Sequence, residues 1–520
     1  MNDSSISATN CASGAVPQIE TFLKTVVQGL MGQESMPTQR SNQAGRPAVL
    51  PSKSLWMALL MGVLGRRKSM RAIWRGLVAQ GYAVGDQAVY KRLSEEGWQP
   101  LARLFKRVSQ VLAQWLQPAL QAYYQRHAML AAFASDVMAI DEMHLDQVTK
   151  RLPILRHFTK GDLELLPGKL VAVFDVRLQQ WHAIEYIEKA TQNGREQAKA
   201  MVKSLKVGTL ILADLGYFGF AWFDQLSELG YSWISRVKSH TTMIVLHTYY
   251  EAGDTFDRLV WLGAGQTHGK YVVRQVQFRQ GGQLRQYFTN VCDPTVLPLP
   301  EIARLYARRW DIELAFLTLK RELGLHLIWS SKPVVVLAQV WACLIIAQVL
   351  QAIRMEVALR AGVDVFDVSL PLLLEALPQL GGHDDFVATC VRRGRQLGII
   401  RPSTRLMIEA PVIAPEQLIP LPKDTLLCRQ PQYTRKKPAK LQTDPEITVH
   451  PQRDQIVALL MQREAQITAS ITKCKPIAQS VPLKAHIKTP LQPATQTVPA
   501  VQPDRSIARP PWAFLKPLSA

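Results

Sequence analysis

The stretch TLILADLGYF, residues 209–218, decides how the fold is read. Leu210, Ile211, Leu212 and Ala213 form a short apolar run, and Asp214 follows at once. Such a run suits a strand buried on both faces. A carboxylate at its C-terminal end opens into the crevice where α/β sheets hold ligands. The same pattern stands upstream, where Val137, Met138, Ala139 and Ile140 are closed by Asp141. Asp136 and Asp146 are rivals to Asp141, but neither ends an apolar run.

Working outward, 170–176, 181–187 and 231–237 are further β-type runs, and 195–205 and 220–229 have helical patterns. Three strands followed by two helix-linked strands predict a mixed α/β core. Residues 238–291 show no helical period, and Gly281-Gly282 marks a turn, so an all-β insertion is expected there. Residues 299–355 return to helix.

The flanks differ in kind. Residues 50–130 are helical in pattern and carry 12 Lys+Arg against three Asp+Glu. Ser69 suits a helix cap, 81–85 reads as a turn, and Asp86 suits a second cap. Two short helices around such a turn resemble a helix-turn-helix, with Lys91 and Arg92 on the second as candidate DNA contacts. Residues 1–49 are expected to be mobile. Residues 401–520 hold 18 of the 32 prolines and 17 Lys+Arg against eight Asp+Glu, and read as a basic disordered tail. The domains expected are thus 1–49, 50–130, a catalytic domain over 131–400 and the tail.

The formal net charge of +20 points to a polyanionic partner, and the excess sits mostly in the N-terminal helical block and the tail. Six scattered cysteines form no CxxC pair, which argues against a zinc site or disulfide framework and fits a reducing cytoplasm. The apolar segment 334–353 is just long enough to span a bilayer, but Gln339, Gln348 and Gln351 favour a buried helix, and no membrane is expected.

The chemistry centres on a predicted helix over 305–323. At about 100° per residue, Tyr306, Arg309, Glu313 and Lys320 fall on one narrow face. Ile312, Phe316 and Leu319 lie to one side of that face and can pack inward. Asp141 and Asp214 at the ends of adjacent strands would repel unless a cation lies between them. Mg²⁺ suits hard oxygen ligands, and a third carboxylate would complete a two-metal site.

These residues also carry a family resemblance. Tyr306-(2)-Arg309-(3)-Glu313-(6)-Lys320 resembles the YREK signature of the DDE transposases of bacterial insertion sequences (the insertion-sequence-four type). LYARRWDIELAFLTLKRELGL resembles that helix throughout, ILADLGYF resembles the second-Asp strand and AID at 139–141 the first. The resemblance spans roughly residues 50–400. It implies an RNase H-like core with a β-rich insertion, and a site of Asp141, Asp214 and Glu313 binding two Mg²⁺ or Mn²⁺ ions. It also implies phosphate contacts from Tyr306, Arg309 and Lys320. The activity implied is cleavage of double-stranded DNA at terminal inverted repeats and strand transfer into target DNA, by a homodimer when synapsed, in the bacterial cytoplasm at the nucleoid. Some relatives stack a flipped base on an insertion tryptophan, for which Trp261 is the candidate. The alternative is a domesticated, catalytically silent DNA-binding relative.

Overall fold

The computed structural model describes residues 15–33, 50–145, 168–189, 191–325, 328–330, 332–380, 385–403, 405 and 407–433. Asp146 lies outside them, as do residues 434–520.

The first two catalytic candidates, Asp141 and Asp214, lie on or directly after strands of one nine-stranded sheet. Its strands are β1 (Val137–His144), β2 (Lys169–Asp175), β3 (Gln180–Ile187), β4 (Leu210–Ala213), β5 (Ser232–Arg236), β6 (Met243–Ala252), β7 (Thr255–Leu262), β8 (Val272–Gln280) and β9 (Gln283–Thr289). Their order is β3-β2-β1-β4-β5-β9-β8-β7-β6. β1, β2 and β3 pair antiparallel, and β1, β4 and β5 pair parallel. The parallel connections run through α6 (Gly194–Val202), between β3 and β4, and α7 (Phe220–Glu228), between β4 and β5. The β-type runs read between 137 and 291 all fall on these strands. β6 to β9 form an antiparallel meander, and β9 pairs with β5. The meander therefore continues the sheet that carries the acids. A fully buried pair crosslinks it: Arg274 reaches Asp257 at 2.7 and 2.5 Å and the Leu297 carbonyl at 2.6 Å.

Alternation along the strands divides the core into two layers. Val137 and Ala139, with Leu210 and Leu212, face the larger cluster, which the helices complete. Met138 and Ile140, with Ile211 and Ala213, face the other side, under α6 and α7. The helical side comprises α1 (Ala15–Gln33), α2 (Ser52–Leu64), α3 (Met70–Ala79), α4 (Asp86–Glu96), α5 (Gln99–Tyr124), α8 (Leu299–Arg308), α9 (Asp311–Arg321), α10 (Pro333–Ala361), α11 (Leu370–Ala376) and α12 (Phe386–Arg393).

α10 settles the apolar segment. It is long and apolar enough to cross a membrane, yet 89% of its most apolar stretch is buried inside the protein. Its glutamines have a use there. The Gln348 side chain accepts from the Trp181 N–H at 2.8 Å and donates to the Trp181 carbonyl at 3.0 Å. It thereby satisfies part of the edge strand β3, whose backbone would otherwise be unpaired.

Three expectations need correction. Residues 15–33 are not a mobile segment: they form a helix, because Ile19, Phe22, Leu23, Val26 and Val27 recur at helical spacing and are buried. Residues 407–433 are not a disordered tail. His268 bridges Gln432 and Tyr271 bridges Cys428, and Ile419 N–H donates to the Tyr249 carbonyl at 2.8 Å. The prolines exclude a regular α-helix there but allow an extended strap, broken by one 3-10 turn at Pro415–Gln417. Finally, 305–323 is two helices, α8 and α9, broken at Arg309 and Trp310.

Candidate active site

Register brings the first two acids together. Ile140 of β1 lies opposite Ala213 of β4 in a parallel pair, so Asp141, still within β1, and Asp214, just past the end of β4, stand at the same level. By alternation both follow residues of the α6–α7 face, and their side chains turn to the opposite face, where α8 and α9 pack. α9 buries Ile312, Ala315, Phe316 and Leu319 in that layer. This leaves Glu313 at the rim, beside the strand ends.

The three carboxylates meet around one cation. The Arg309 guanidinium lies 3.6 Å from Asp141 Oδ2, 4.0 Å from Asp214 Oδ1 and 2.6 Å from Glu313 Oε1. Arg309 is only 6% exposed, while the side chains of Asp214 and Glu313 stay partly open, at 40% and 31%. Only the Glu313 contact is a hydrogen bond. Nε and Nη1 of Arg309 are buried without a hydrogen-bond acceptor. Burial pushes the Asp141 carboxyl up to about 6, against the pull of the Glu142 N–H at 2.8 Å and of Arg309.

Around this centre, Tyr306 is buried against Tyr287, its ring centroid 4.7 Å away, and its hydroxyl reaches the Ala213 carbonyl at 3.5 Å. Burial raises its pKa strongly. The residue expected to touch phosphate is thus placed under the strand end that presents Asp214. Lys320 lies in the last turn of α9, partly buried and about two turns beyond Glu313. Trp310, beside Arg309 in the break, is half exposed.

A second layer surrounds the acids. Glu142, directly after Asp141, pairs with buried Lys169 at 2.9 Å. Gly194 leaves room for it, since a Cβ there would stand 2.1 Å from Glu142 Oε2. Asp311 anchors the break between α8 and α9. Its Oδ2 accepts from Arg308 at 2.6 Å and from Gln179 at 2.8 Å. Its Oδ1 lies 2.5 Å from Arg405, close enough for an ion pair but not aligned as a hydrogen bond. An acid just after two arginines stands in RRWDIE (308–313), but only the fold supplies Gln179 and Arg405.

Trp261 is not gathered into this site. It is 5% exposed, in a separate cluster with Tyr249, Leu259 and Val272. The Arg429 guanidinium covers its ring at 4.7 Å from the centroid and donates to the carbonyls of Leu262, Gly263 and Gly269. A base has no open face to stack on there. Lys91 is exposed on α4 beside Glu95, whereas Arg92 is engaged with Glu96 at 2.7 Å and Ser52 at 3.3 Å.

Three hard oxygen donors around a cation are the donor chemistry of a divalent-metal site. Their spacing is another matter. Among the described residues, no three acidic, histidine or cysteine side chains are drawn together closely enough to hold a metal ion. The guanidinium keeps the acids apart.

Residues 165–349 match the family model described as a transposase DDE domain. The match covers Asp214 and Glu313 and about a third of the chain, starting after Asp141. No curated protein matches the chain. Among solved structures, the chain is similar to a piggyBac transposase synaptic complex with hairpin DNA, at 11% identity and a TM-score of 0.35, over 78% of this chain and 85% of that one. So remote a likeness adds no weight to the reading of the site.

Proposed function

We propose that the chain is a DDE transposase that cleaves double-stranded DNA at terminal inverted repeats and transfers the freed ends into target DNA, the cut-and-paste movement of an insertion sequence. The observation that carries the reading is the convergence of Asp141, Asp214 and Glu313 on one guanidinium, Asp141 from within β1, Asp214 from just past the end of the adjacent β4, and Glu313 from a crossing helix. The match of residues 165–349 to a transposase DDE domain supports it. The strand order, three antiparallel strands followed by two parallel ones, fits an RNase H-like core, with β6 to β9 as its insertion.

In this reading the three acids hold two Mg²⁺ or Mn²⁺ ions. Bound ions would activate the attacking water or 3′-hydroxyl and stabilise the leaving oxygen. Arg309 and Lys320 serve the phosphates, Arg through a bidentate grip and Lys as a point charge. Tyr306, buried under Ala213, fixes the strand end that presents Asp214. The basic helices carrying Lys91 and Arg92 hold the duplex. The protein works as a homodimer on synapsed DNA, at the nucleoid of the bacterial cytoplasm.

Glu313→Gln keeps the size of the side chain and removes its charge. Metal-dependent cleavage of a terminal-repeat duplex should vanish, while gel-shift binding of that duplex persists. Cleavage surviving in this variant would remove Glu313 from the mechanism.

A further inference from the structure

Arg309 does something in this structure that a phosphate contact alone does not require. It stands between the three acids and, among the described residues, is the one group in contact with all of them. Three carboxylates at one rim repel, and the cost is high where water is scarce. A guanidinium stays charged at any working pH, so it cannot leave this position by losing a proton. It is also incompletely satisfied, since Nη1 lies at ion-pair distance from Asp141 and Nε from Asp214, each without a hydrogen bond. A buried donor left in that state is cheaper to withdraw than one fully bonded. The distances point the same way. Its contacts run from 2.6 to 4.0 Å, whereas an Mg²⁺ ion needs ligand oxygens at about 2.1 Å. The acids cannot close on an ion while the guanidinium lies between them.

We propose that Arg309 is the resting occupant of the acid cluster: it neutralises Asp141, Asp214 and Glu313 in the ion-free protein and competes with divalent cations for them. This rests on the reading of those acids as the cation ligands. Loading then requires the side chain to swing out of the cluster. The Arg309–Trp310 break between α8 and α9 puts it on a turn rather than inside a helix.

The test uses the full chain and Mn²⁺ alone, with free ion counted by electron paramagnetic resonance and unfolding followed by calorimetry. With chelator present, Arg309→Gln should melt below the wild type, because the acids lose their counter-charge. Mn²⁺ should recover that loss and bind the variant about tenfold more tightly than the wild type, the competing cation being gone. Arg309→Lys, a smaller and less branched cation, should fall between the two. Equal or weaker Mn²⁺ binding by Arg309→Gln overturns the proposal. If that variant does not fold even with Mn²⁺, Arg309→Lys decides: tighter binding than the wild type supports the proposal, and unchanged binding overturns it. Adding Asp214→Asn to the better-folding variant separates the two ideas. Mn²⁺ binding that survives it sinks the acid-cluster reading itself. Binding that is lost, without any gain from changing Arg309, sinks only the resting occupant.

Discussion

Arg405 lies 2.5 Å from Asp311, across the break between the helix that ends at Arg308 and the helix that carries Glu313. The Arg405 guanidinium also donates to the Ala307 carbonyl at 2.6 Å and stacks 4.2 Å from the centroid of Phe366. The chain beyond residue 400 thus helps to hold the helix that carries Glu313. Arg405→Ala should cost about 1–3 kcal/mol by chemical denaturation. The loss stays below that of an isolated buried pair because Arg308 and Gln179 still serve Asp311. A chain ending after residue 400 should melt clearly below one ending after residue 433; equal melting temperatures would leave the strap without a structural part.

The helix pair at 70–96 separates binding from folding. Lys91 is 79% exposed and its partner Glu95 is 3.9 Å away, so it contributes little to stability. Lys91→Ala should weaken duplex binding and reduce the salt dependence by about one ion, with melting unchanged. Arg92→Ala should instead lower stability by about 1 kcal/mol, through lost contacts to Glu96 and Ser52. Titrations at several salt concentrations beside calorimetry would check this; matching profiles for the two variants would contradict it.

Trp261 should behave as a core residue. Trp261→Ala should cost about 3–5 kcal/mol, whereas Trp261→Phe should keep cleavage near the wild-type rate. A cleavage defect in Trp261→Phe at unchanged stability would instead argue for a base resting on that ring, with Arg429 moved aside.

Asp141 sets a pH window. Burial raises its carboxyl from 3.8 to about 6, so the fold favours its neutral form. Stability contributed by that neutral form is present below about 3.8 and is lost as pH climbs through about 6. Cation binding needs the ionised form and must release the proton below that range. Mn²⁺ affinity should rise with pH up to about 6 and flatten above it. Calorimetry in two buffers of different ionisation enthalpy should count more released protons at pH 5.5 than at pH 7.5. Equal proton counts at both would place the relevant ionisation on another group.

Much of this was legible beforehand because apolar runs ending in Asp constrain both strand and crevice. The runs closed by Asp141 and Asp214 became adjacent parallel strands with matched register. The helix pattern located Glu313 and Arg309, but a single helix was expected, because 3.6-residue periodicity carries across a two-residue break. Composition misled at both ends. The polar residues of 1–49 hid the apolar stripe of Ile19, Phe22 and Val26. The prolines of 401–433 exclude regular helix but not an extended segment bound through its backbone. The Arg429 cover on Trp261 joins positions 168 residues apart, and no local pattern announces such a contact.

The pairing of Ser235 in β5 with Phe288 in β9 carries a practical consequence. The outer meander is no removable attachment, since its last strand shields the flank of the strand next to Asp214. Excising 238–291 would strip β5 of its neighbour and present unsatisfied amides to any passing chain, inviting self-association. A shortened chain lacking the meander would therefore need a substitute strand along that flank, or it would aggregate before any activity could be assayed.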